Sequence, residues 1–225
     1  MSSYRHELKF PINPLDAVIL ESRLQAVLAP DPHAPGGRYS VRSLYFDDPY
    51  SRALSEKMAG IDHRSKYRLR IYNGSAATIR LERKERTGGL GRKMSVTLDR
   101  DQALRLLEGK TEILLTLQDP LATLFYSEIK SGLLRPRRIV EYDRTAYTHP
   151  VENVRVTLDR RLRTGPGSAD FFSPDLIPVA SATDVLEVKY DRFLPTHIAH
   201  LVLLDNHTGS SNSKYLNCSA NVGLY

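Results

Sequence analysis

The stretch Arg64–Tyr72 constrains the fold more than any other, because it alternates strictly between polar and mainly apolar side chains. Read as a strand, it places four cations on one face: Arg64, Lys66, Arg68 and Arg70. Cations crowded on one side of a strand repel one another, so the fold must expose them to water or supply anions. A charged edge strand is the simpler interpretation, since such edges discourage aggregation. The same pattern recurs on other strands, which favours a shared interior.

Seven further strands and five helices are predicted from alternation, turn residues and capping residues. The strands are Tyr4–Phe10, Tyr39–Phe46, Thr78–Arg86, Arg92–Leu98, Arg137–Tyr147, Val154–Arg163 and Val185–Tyr190. Helices are expected to begin at Asn13-Pro14 and Asp48-Pro49, to span Asp99–Glu108, to run from Asp119-Pro120 to Gly132, and to span Pro195–Leu204. Short turns join the strands from Arg64 to Leu98, so they should form an antiparallel meander.

Composition narrows the class of protein. The 225 residues are 41% hydrophobic and 26% charged, which is typical of a globular chain, and the net charge of +6 favours an anionic partner. The single cysteine, Cys218, excludes an internal disulfide. The N-terminal residues lack the apolar run of a signal peptide, and the longest apolar run, Leu201–Leu204, is too short to span a bilayer. We expect a cytoplasmic protein with no membrane segment of its own, folded as one domain over residues 1–225.

An α+β fold reconciles the charged strand faces with the apolar helix stripes. We predict an antiparallel β barrel of about eight strands, closed or nearly closed, with a charged interior and helices packed on the outside. The inward cations are expected to be Lys9, Arg68, Arg70, Lys84, Lys93, Arg144, Arg155 and Lys189. The inward acids are Glu7, Glu82 and Glu187, too few to neutralise them.

Such an interior suits phosphate. Arginine binds phosphate oxygens through two donors and lysine acts as a point charge, while carboxylates suit Mg²⁺ or Mn²⁺. The sequence has no P-loop, and no Ser/His/Asp set is recognisable. Nucleic-acid binding would require cations on an outer face with aromatic platforms, so we expect no nucleic-acid partner.

Six motifs, taken together, resemble one known family. They are His6-Glu-Leu-Lys-Phe10, Ser43-Leu-Tyr-Phe-Asp47, Tyr67-Arg-Leu-Arg-Ile-Tyr72, Leu81-Glu-Arg-Lys84, Glu141-Tyr-Asp-Arg144 and Leu186-Glu-Val-Lys-Tyr190. In order and spacing they are similar to the VTC domain, the catalytic domain of the vacuolar transporter chaperone polyphosphate polymerase, which also occurs in bacterial proteins. The family belongs to the triphosphate tunnel metalloenzymes, with the CYTH proteins, so the resemblance implies an eight-stranded antiparallel β tunnel barrel. The resemblance runs from Tyr4 to about Lys214.

This resemblance implies specific roles for the charged residues. Arg68, Arg70, Lys84 and Arg144 are the expected catalytic residues. The expected phosphate-binding residues are Lys9, Lys93, Tyr142, Arg155, Lys189 and Lys214. Glu187 is expected to hold Mn²⁺ or Mg²⁺, with Glu7 and Glu82 as further candidates that could instead pair with neighbouring cations.

The implied reaction is transfer of the γ-phosphate of ATP to a growing polyphosphate chain. A triphosphatase, in which water replaces the acceptor, is the nearest alternative, and a non-catalytic polyphosphate-binding module is another. The sequence lacks the regulatory SPX domain and membrane helices of the fungal relatives, which leaves a membrane-protein partner open. The oligomeric state is not predicted.

Overall fold

The computed structural model describes residues 5–32, 34–88, 90–180, 183–203 and 213–220. Two predicted element ends, Tyr4 and Leu204, therefore lie outside the described residues. The chain divides into two compact units. Unit 1 comprises residues 1–40, 142–162 and 178–214, and unit 2 comprises residues 41–141, 163–177 and 215–225. The prediction of one domain over residues 1–225 stays a prediction.

The strands are numbered in chain order. They are β1 (His6–Ile12), β2 (Ala29–Pro30), β3 (Arg38–Asp47), β4 (Arg64–Tyr72), β5 (Ser75–Thr87), β6 (Leu90–Leu98), β7 (Arg135–His149), β8 (Val154–Pro166), β9 (Ile177–Pro178) and β10 (Asp184–Tyr190). The helices are α1 (Pro14–Val27), α2 (Arg52–Met58), α3 (Arg100–Leu107), α4 (Pro120–Gly132), α5 (Thr196–Val202) and α6 (Lys214–Ala220). Every predicted strand and helix has a counterpart, and short 3-10 turns add Pro35–Gly37, Thr111–Leu117 and Val151–Asn153.

Capping residues fix the helix starts as the sequence predicts. The Asn13 side chain accepts a hydrogen bond from the backbone N–H of Asp16, and the Asp16 side chain accepts one from the backbone N–H of Asn13. The two bonds form a capping box. Asp99 forms a second capping box, with Gln102. Asp119 caps α4 before Pro120. Because each cap satisfies backbone N–H groups that lack helical partners, these three helices begin within one residue of the predicted positions, whereas α2 begins at Arg52, three residues after Pro49.

Eight strands form the path β1-β10-β8-β7-β3-β4-β5-β6, and the two-residue strands β2 and β9 pair beside it. The recorded registers are all antiparallel. The α+β fold with eight main strands is therefore confirmed. Among the strands that the structure describes, however, the path does not close on itself. One end strand, β6, exposes Arg92 and Lys93, and charged side chains of this kind discourage further pairing at a sheet edge.

In unit 1, helices cover the apolar side of the strands. Ala17, Leu20 and Leu24 are the buried residues of α1 and belong to a core that includes Val156 of β8 and Val188 of β10. Helix α5 contributes Ile198 and Val202 to the same core. This core leaves the other face of the strands to polar side chains.

Unit 2 repeats this arrangement around β4. Tyr67, Leu69 and Ile71 are buried in a core with Phe125 of α4 and Leu106 of α3. The alternate residues of β4 are only half-buried, so its two faces differ as the alternation predicts. No helix within the described residues is both long enough and apolar enough to cross a membrane.

Candidate active site

In unit 1, three antiparallel strands bring a group of charged side chains onto one face. The register pairs Lys9 of β1 with Glu187 of β10, and Glu187 with Thr157 of β8. Glu7, Lys189 and Arg155 form the next row of the same face. We call the five residues Glu7, Lys9, Thr157, Glu187 and Lys189 the Glu187 cluster.

Lysines occupy both oxygens of the Glu187 carboxylate. Lys189 Nζ lies 2.7 Å from Oε1, and Lys9 Nζ lies 3.5 Å from Oε2. Lys9 also forms an ion pair with Glu7, so one ammonium group is shared by two carboxylates. Burial opposes ionisation of Glu187, but Lys189, Lys9 and Arg144 outweigh it and hold the pKa of this carboxyl well below its ordinary value. Burial also opposes the charge of Lys9, yet Glu187 and Glu7 raise its pKa.

A second group in unit 1 is built on the fully buried Asp159. Arg144 donates to both of its oxygens, with Nε–Oδ1 and Nη2–Oδ2 distances of 2.6 and 2.7 Å. Lys214 adds a contact of 2.7 Å to Oδ2. The Tyr142 ring lies beneath both cations, with its centroid 5.3 Å from Arg144 and 4.7 Å from Lys214. One acid thus holds two predicted phosphate ligands over an aromatic ring, and we call these four residues the Asp159 cluster.

Arg155 is held by a separate acid of unit 1. Its Nη2 lies 2.6 Å from Asp31 and donates to the Tyr39 hydroxyl at 2.8 Å. The side chain remains 35% exposed, while Asp31 is buried. Asp31 therefore fixes one side of the guanidinium, and part of the group stays accessible to a ligand.

Unit 2 carries its own group around Glu82, which is 1% exposed. Arg68 reaches Oε2 through Nε at 2.7 Å and Nη2 at 2.6 Å, and Arg70 lies 3.6 Å from the same oxygen. Lys93 approaches Oε1 at 3.2 Å. Burial would raise the pKa of Glu82, but Arg68, Arg70 and Lys93 lower it to about 2. We call Arg68, Arg70, Glu82 and Lys93 the Glu82 cluster.

The register of unit 2 also aligns like charges. Lys66 of β4 lies opposite Lys84 of β5, and Lys84 lies opposite Lys93 of β6. Like charges placed directly across an antiparallel pair destabilise it by roughly 0.2–1 kcal/mol per pair. Lys84 is exposed. This lysine row, comprising Lys66, Lys84 and Lys93, lies on the same face as the Glu82 cluster and shows where an anion would be favourable.

The Glu187 cluster has the donor atoms that a divalent cation needs. An ammonium already lies between Glu7 and Glu187, so this position accommodates positive charge. The Thr157 hydroxyl beside Glu187 is buried and has no hydrogen-bond partner within the described part of the chain. Mg²⁺ commonly uses one or two carboxylates and completes its octahedron with water and phosphate oxygens.

Glu82, a further predicted metal ligand, is less suited to that role than Glu187. Glu82 also lies among cations, but unlike Glu187 it has no second carboxylate on its face of β4, β5 and β6, which favours a counter-ion role over metal binding for this residue. No group of three or more His, Cys, Asp or Glu side chains within the described ranges could hold a metal by itself. A divalent cation at Glu187 would therefore depend on phosphate oxygens for the rest of its coordination.

All thirteen predicted site residues thus fall into charged groups of one unit or the other. Sequence reasoning missed the acids that orient the arginines, Asp159 and Asp31, and the buried hydroxyls of Thr157 and Tyr45. Asp159 and Thr157 lie at every second position from Arg155 along β8. This spacing places all three on one face of the strand and could have identified them from the sequence. Asp31 lies 124 residues from Arg155, and nothing local in the sequence links them.

Comparison with known proteins bears on the family and the fold of the chain. The family described as the VTC domain matches residues 4–222, nearly the whole chain. Among curated proteins, none matches in sequence. The solved structure of HpAC1 from Hippeastrum, described as having a dominant triphosphatase activity, has a TM-score of 0.56 at 15% identity, with coverage of 96% of this chain and 95% of that one. This likeness supports the fold.

Two more distant structures are also similar. A candidate adenylate cyclase from Bacillus halodurans has a TM-score of 0.49 at 15% identity and covers 88% of this chain and 86% of its own. A protein from Pyrococcus horikoshii has a TM-score of 0.44 at 15% identity, with coverage of 89% and 92%. The sequence-based resemblance to the VTC domain is confirmed by the family match.

Proposed function

The chain belongs to the VTC domain family, and we propose that it is a polyphosphate polymerase that transfers the γ-phosphoryl group of ATP to a polyphosphate chain. One observation carries the proposal: cations greatly exceed acids on the shared face of β4, β5 and β6. The register places eight cations there: Arg64, Lys66, Arg68, Arg70, Arg80, Lys84, Arg86 and Lys93. The single carboxylate on that face of these three strands is Glu82. A polyanion would relieve the repulsion that Glu82 leaves uncompensated.

The proposed roles of the charged residues differ with the chemistry of their side chains. Arg68, Arg70 and Arg144 have planar forks that suit the equatorial phosphate oxygens, where negative charge spreads during transfer. Lys84 acts as a point charge on the same face as Arg68. The other phosphate contacts are assigned to Lys9, Lys93, Tyr142, Arg155, Lys189 and Lys214. Because acids already hold several of these cations, they need little rearrangement when a phosphate arrives.

The proposed reaction needs no protein nucleophile. A terminal phosphate oxygen of the acceptor chain forms a bond to the γ-phosphorus of ATP, and the bond from that phosphorus to the β-phosphate oxygen breaks. ADP leaves with the electron pair. Glu187, assisted by Glu7, would hold Mg²⁺ or Mn²⁺, which neutralises part of the phosphate charge. The protein contributes alignment and fixed positive charge.

A triphosphatase is the second candidate, because the Hippeastrum structure with the same fold is described as having that activity. Water would replace the phosphate acceptor, and the products would be ADP and free phosphate. The same cations would serve both reactions. The fate of the γ-phosphate therefore distinguishes them.

Incubation of the purified protein with ATP and Mn²⁺, followed by gel separation of polyphosphate, tests the proposal. Polymer that grows with time is the expected result. Release of free phosphate alone would instead establish the triphosphatase, and binding of polyphosphate without turnover would identify a binding module. Arg68→Ala should lower the rate by ~10²–10³, by analogy with loss of one preorganised donor. Arg105→Ala, which removes an exposed helical ion pair with Asp101, is the matched control.

The metal assignment is tested by Glu187→Gln. This change keeps the shape of the side chain but removes its charge, so Mn²⁺ binding in the presence of tripolyphosphate, followed by electron paramagnetic resonance, should be lost. Glu82→Gln should retain the Mn²⁺ signal, because no second carboxylate on the shared face of β4, β5 and β6 could hold a cation together with Glu82. Equal loss in both variants would contradict the assignment to Glu187.

A further inference from the structure

A buried tyrosine hydroxyl lies on the cationic face of unit 2. Tyr45 of β3 is opposite Arg68 in the register, and Arg68 Nη1 donates to its hydroxyl at 3.0 Å. The residue is 5% exposed, and its ring stacks on Tyr215 at a centroid distance of 4.7 Å. Both the ring and the oxygen are therefore fixed, with a guanidinium aimed at the oxygen.

The neighbouring strand β4 places positive charges around Tyr45. Lys66 and Arg68 of β4 lie 5.5 and 5.9 Å from the ring centroid, and Arg70 acts on the hydroxyl from the same strand. Other elements add no free acid within the described residues. The β5 acid Glu82 is held by Arg68, Arg70 and Lys93.

The nearby acid of β3 is also occupied. Asp47 accepts a hydrogen bond from Tyr215 of α6 at 2.9 Å, and two backbone N–H groups, of Asp48 and Ala53, donate to its other oxygen. The β7 residues Arg137 and Arg138 add positive charge near Tyr215. Within the described residues, β4, β5, β7 and the end of β3 thus contribute cations or an acid that already has partners.

We propose that the phenolate of Tyr45 is a second internal anion of the cationic face, alongside Glu82, and that it takes up a proton when a phosphate chain binds there. The proton uptake on phosphate binding rests on the proposed function, whereas the ionised state of Tyr45 in the empty protein does not. The proton comes from solvent, and the phenolate becomes a neutral phenol. The neutral hydroxyl regains a hydrogen that it can donate to a phosphate oxygen.

The electrostatics support this role. Burial alone would raise the pKa of Tyr45, but Arg68, Lys66 and Arg70 outweigh it and lower the pKa to about 7. A polyphosphate beside these cations cancels their field, so burial then dominates and the phenol form is favoured. Above about pH 7, binding must therefore take up one proton, and affinity falls by up to about tenfold per pH unit.

Ultraviolet difference spectroscopy can test both halves, because a phenolate has its own absorption band. In the empty wild-type protein, one tyrosine should ionise with a midpoint near pH 7, and Tyr45→Phe should remove that step. Tyr67→Phe is the matched control: Tyr67 is also buried, and its hydroxyl donates to Glu128 at 2.8 Å. Burial and then Glu128 raise the pKa of Tyr67, so its removal should leave the step unchanged.

Adding tripolyphosphate at about pH 8 should abolish the phenolate band in wild type. The ratio of wild-type to Tyr45→Phe dissociation constants should rise about fivefold from pH 7 to pH 8, since ionisation of the ligand itself affects both proteins equally. If Tyr45→Phe fails to fold, Lys66→Met offers an independent test, because removing that cation should move the midpoint upward.

The outcomes separate this inference from the proposed function. A wild-type protein without a tyrosine step below about pH 9, or a step that persists in Tyr45→Phe, overturns the role of Tyr45 even if polyphosphate is made. A step that tripolyphosphate leaves unchanged, whether or not calorimetry detects binding, overturns the coupling to phosphate. A protein that makes no polymer yet shows the ligand-sensitive step would refute the polymerase alone.

Discussion

Arg144 and Asp159 form a two-point ion pair in which the carboxylate is fully buried. Burial opposes both charges, yet their mutual attraction lowers the pKa of Asp159 and raises that of Arg144. Lys214 shares the same carboxylate. One carboxylate is therefore shared by two cations, and the group keeps a net positive charge that an anion can satisfy.

Asp159→Asn should destabilise the protein while making it more dependent on ligand. Removing one member of a buried pair costs roughly 3–5 kcal/mol, because Arg144 and Lys214 would lose their counter-ion. Tripolyphosphate can replace the missing charge, so it should raise Tm more in the variant than in wild type. Thermal unfolding with and without the ligand measures both effects.

Asp143→Asn is the control for this prediction. Asp143 is next to Arg144 in the chain and pairs with Arg161, whose side chain is 72% exposed. A pair of that kind contributes about 0–1 kcal/mol. Equal destabilisation by the two changes would show that Asp159 has no special role.

The sequence predicts one part of this architecture well and another part poorly. Strand faces follow from a period of two, so the alternation from Arg64 to Tyr72 correctly separates the buried side from the cationic side. Helix starts follow from local caps such as Asn13 and Asp119. These features depend on neighbours in the chain.

Ion pairs often join residues that are far apart in the sequence, so local sequence patterns do not predict them. Lys214 reaches Asp159 from α6, 55 residues further along the chain, and Arg155 is held by Asp31. Motif resemblance suggested phosphate roles for the cations, but it did not reveal which acids orient them. The sheet's failure to close also depends on strand pairing across long separations, which alternation does not specify.

Glu82 should make the protein sensitive to acid. Its pKa is lowered from 4.5 to about 2, so its contribution to the free energy of unfolding is complete above pH 4.5 and is lost as pH falls toward 2. A shift of this size corresponds to about 3 kcal/mol. Wild type should therefore lose about that much more stability than Glu82→Gln over this range, measured by urea unfolding. Other carboxyls titrate in both proteins, and parallel curves would contradict the prediction.

Thr157→Val should have opposite effects on stability and on ligand binding. The hydroxyl is buried without a hydrogen-bond partner in the described residues, so its removal should leave the stability of the empty protein unchanged or slightly higher. If the hydroxyl serves ligand oxygens or bound water beside Glu187, affinity for tripolyphosphate with Mn²⁺ should fall by several-fold, measured by calorimetry. Thr164→Val is the control, because its hydroxyl donates to Ile139 at 2.9 Å and its loss should cost about 1 kcal/mol. Unchanged affinity in Thr157→Val would exclude a role for this hydroxyl.

Lys84→Met should likewise stabilise the empty protein and weaken phosphate binding. Lys84 lies between Lys66 and Lys93 in the register, so its removal relieves two like-charge contacts worth roughly 0.2–1 kcal/mol each. The same lysine supplies charge to a bound polyphosphate, and the salt dependence of polyphosphate binding should become shallower in the variant. Lys110→Met is the charge-matched control, since Lys110 is exposed and pairs with Glu108 at 2.8 Å. Urea unfolding and polyphosphate titration at several salt concentrations measure the two effects, and a variant that is less stable than the control would refute repulsion within the lysine row.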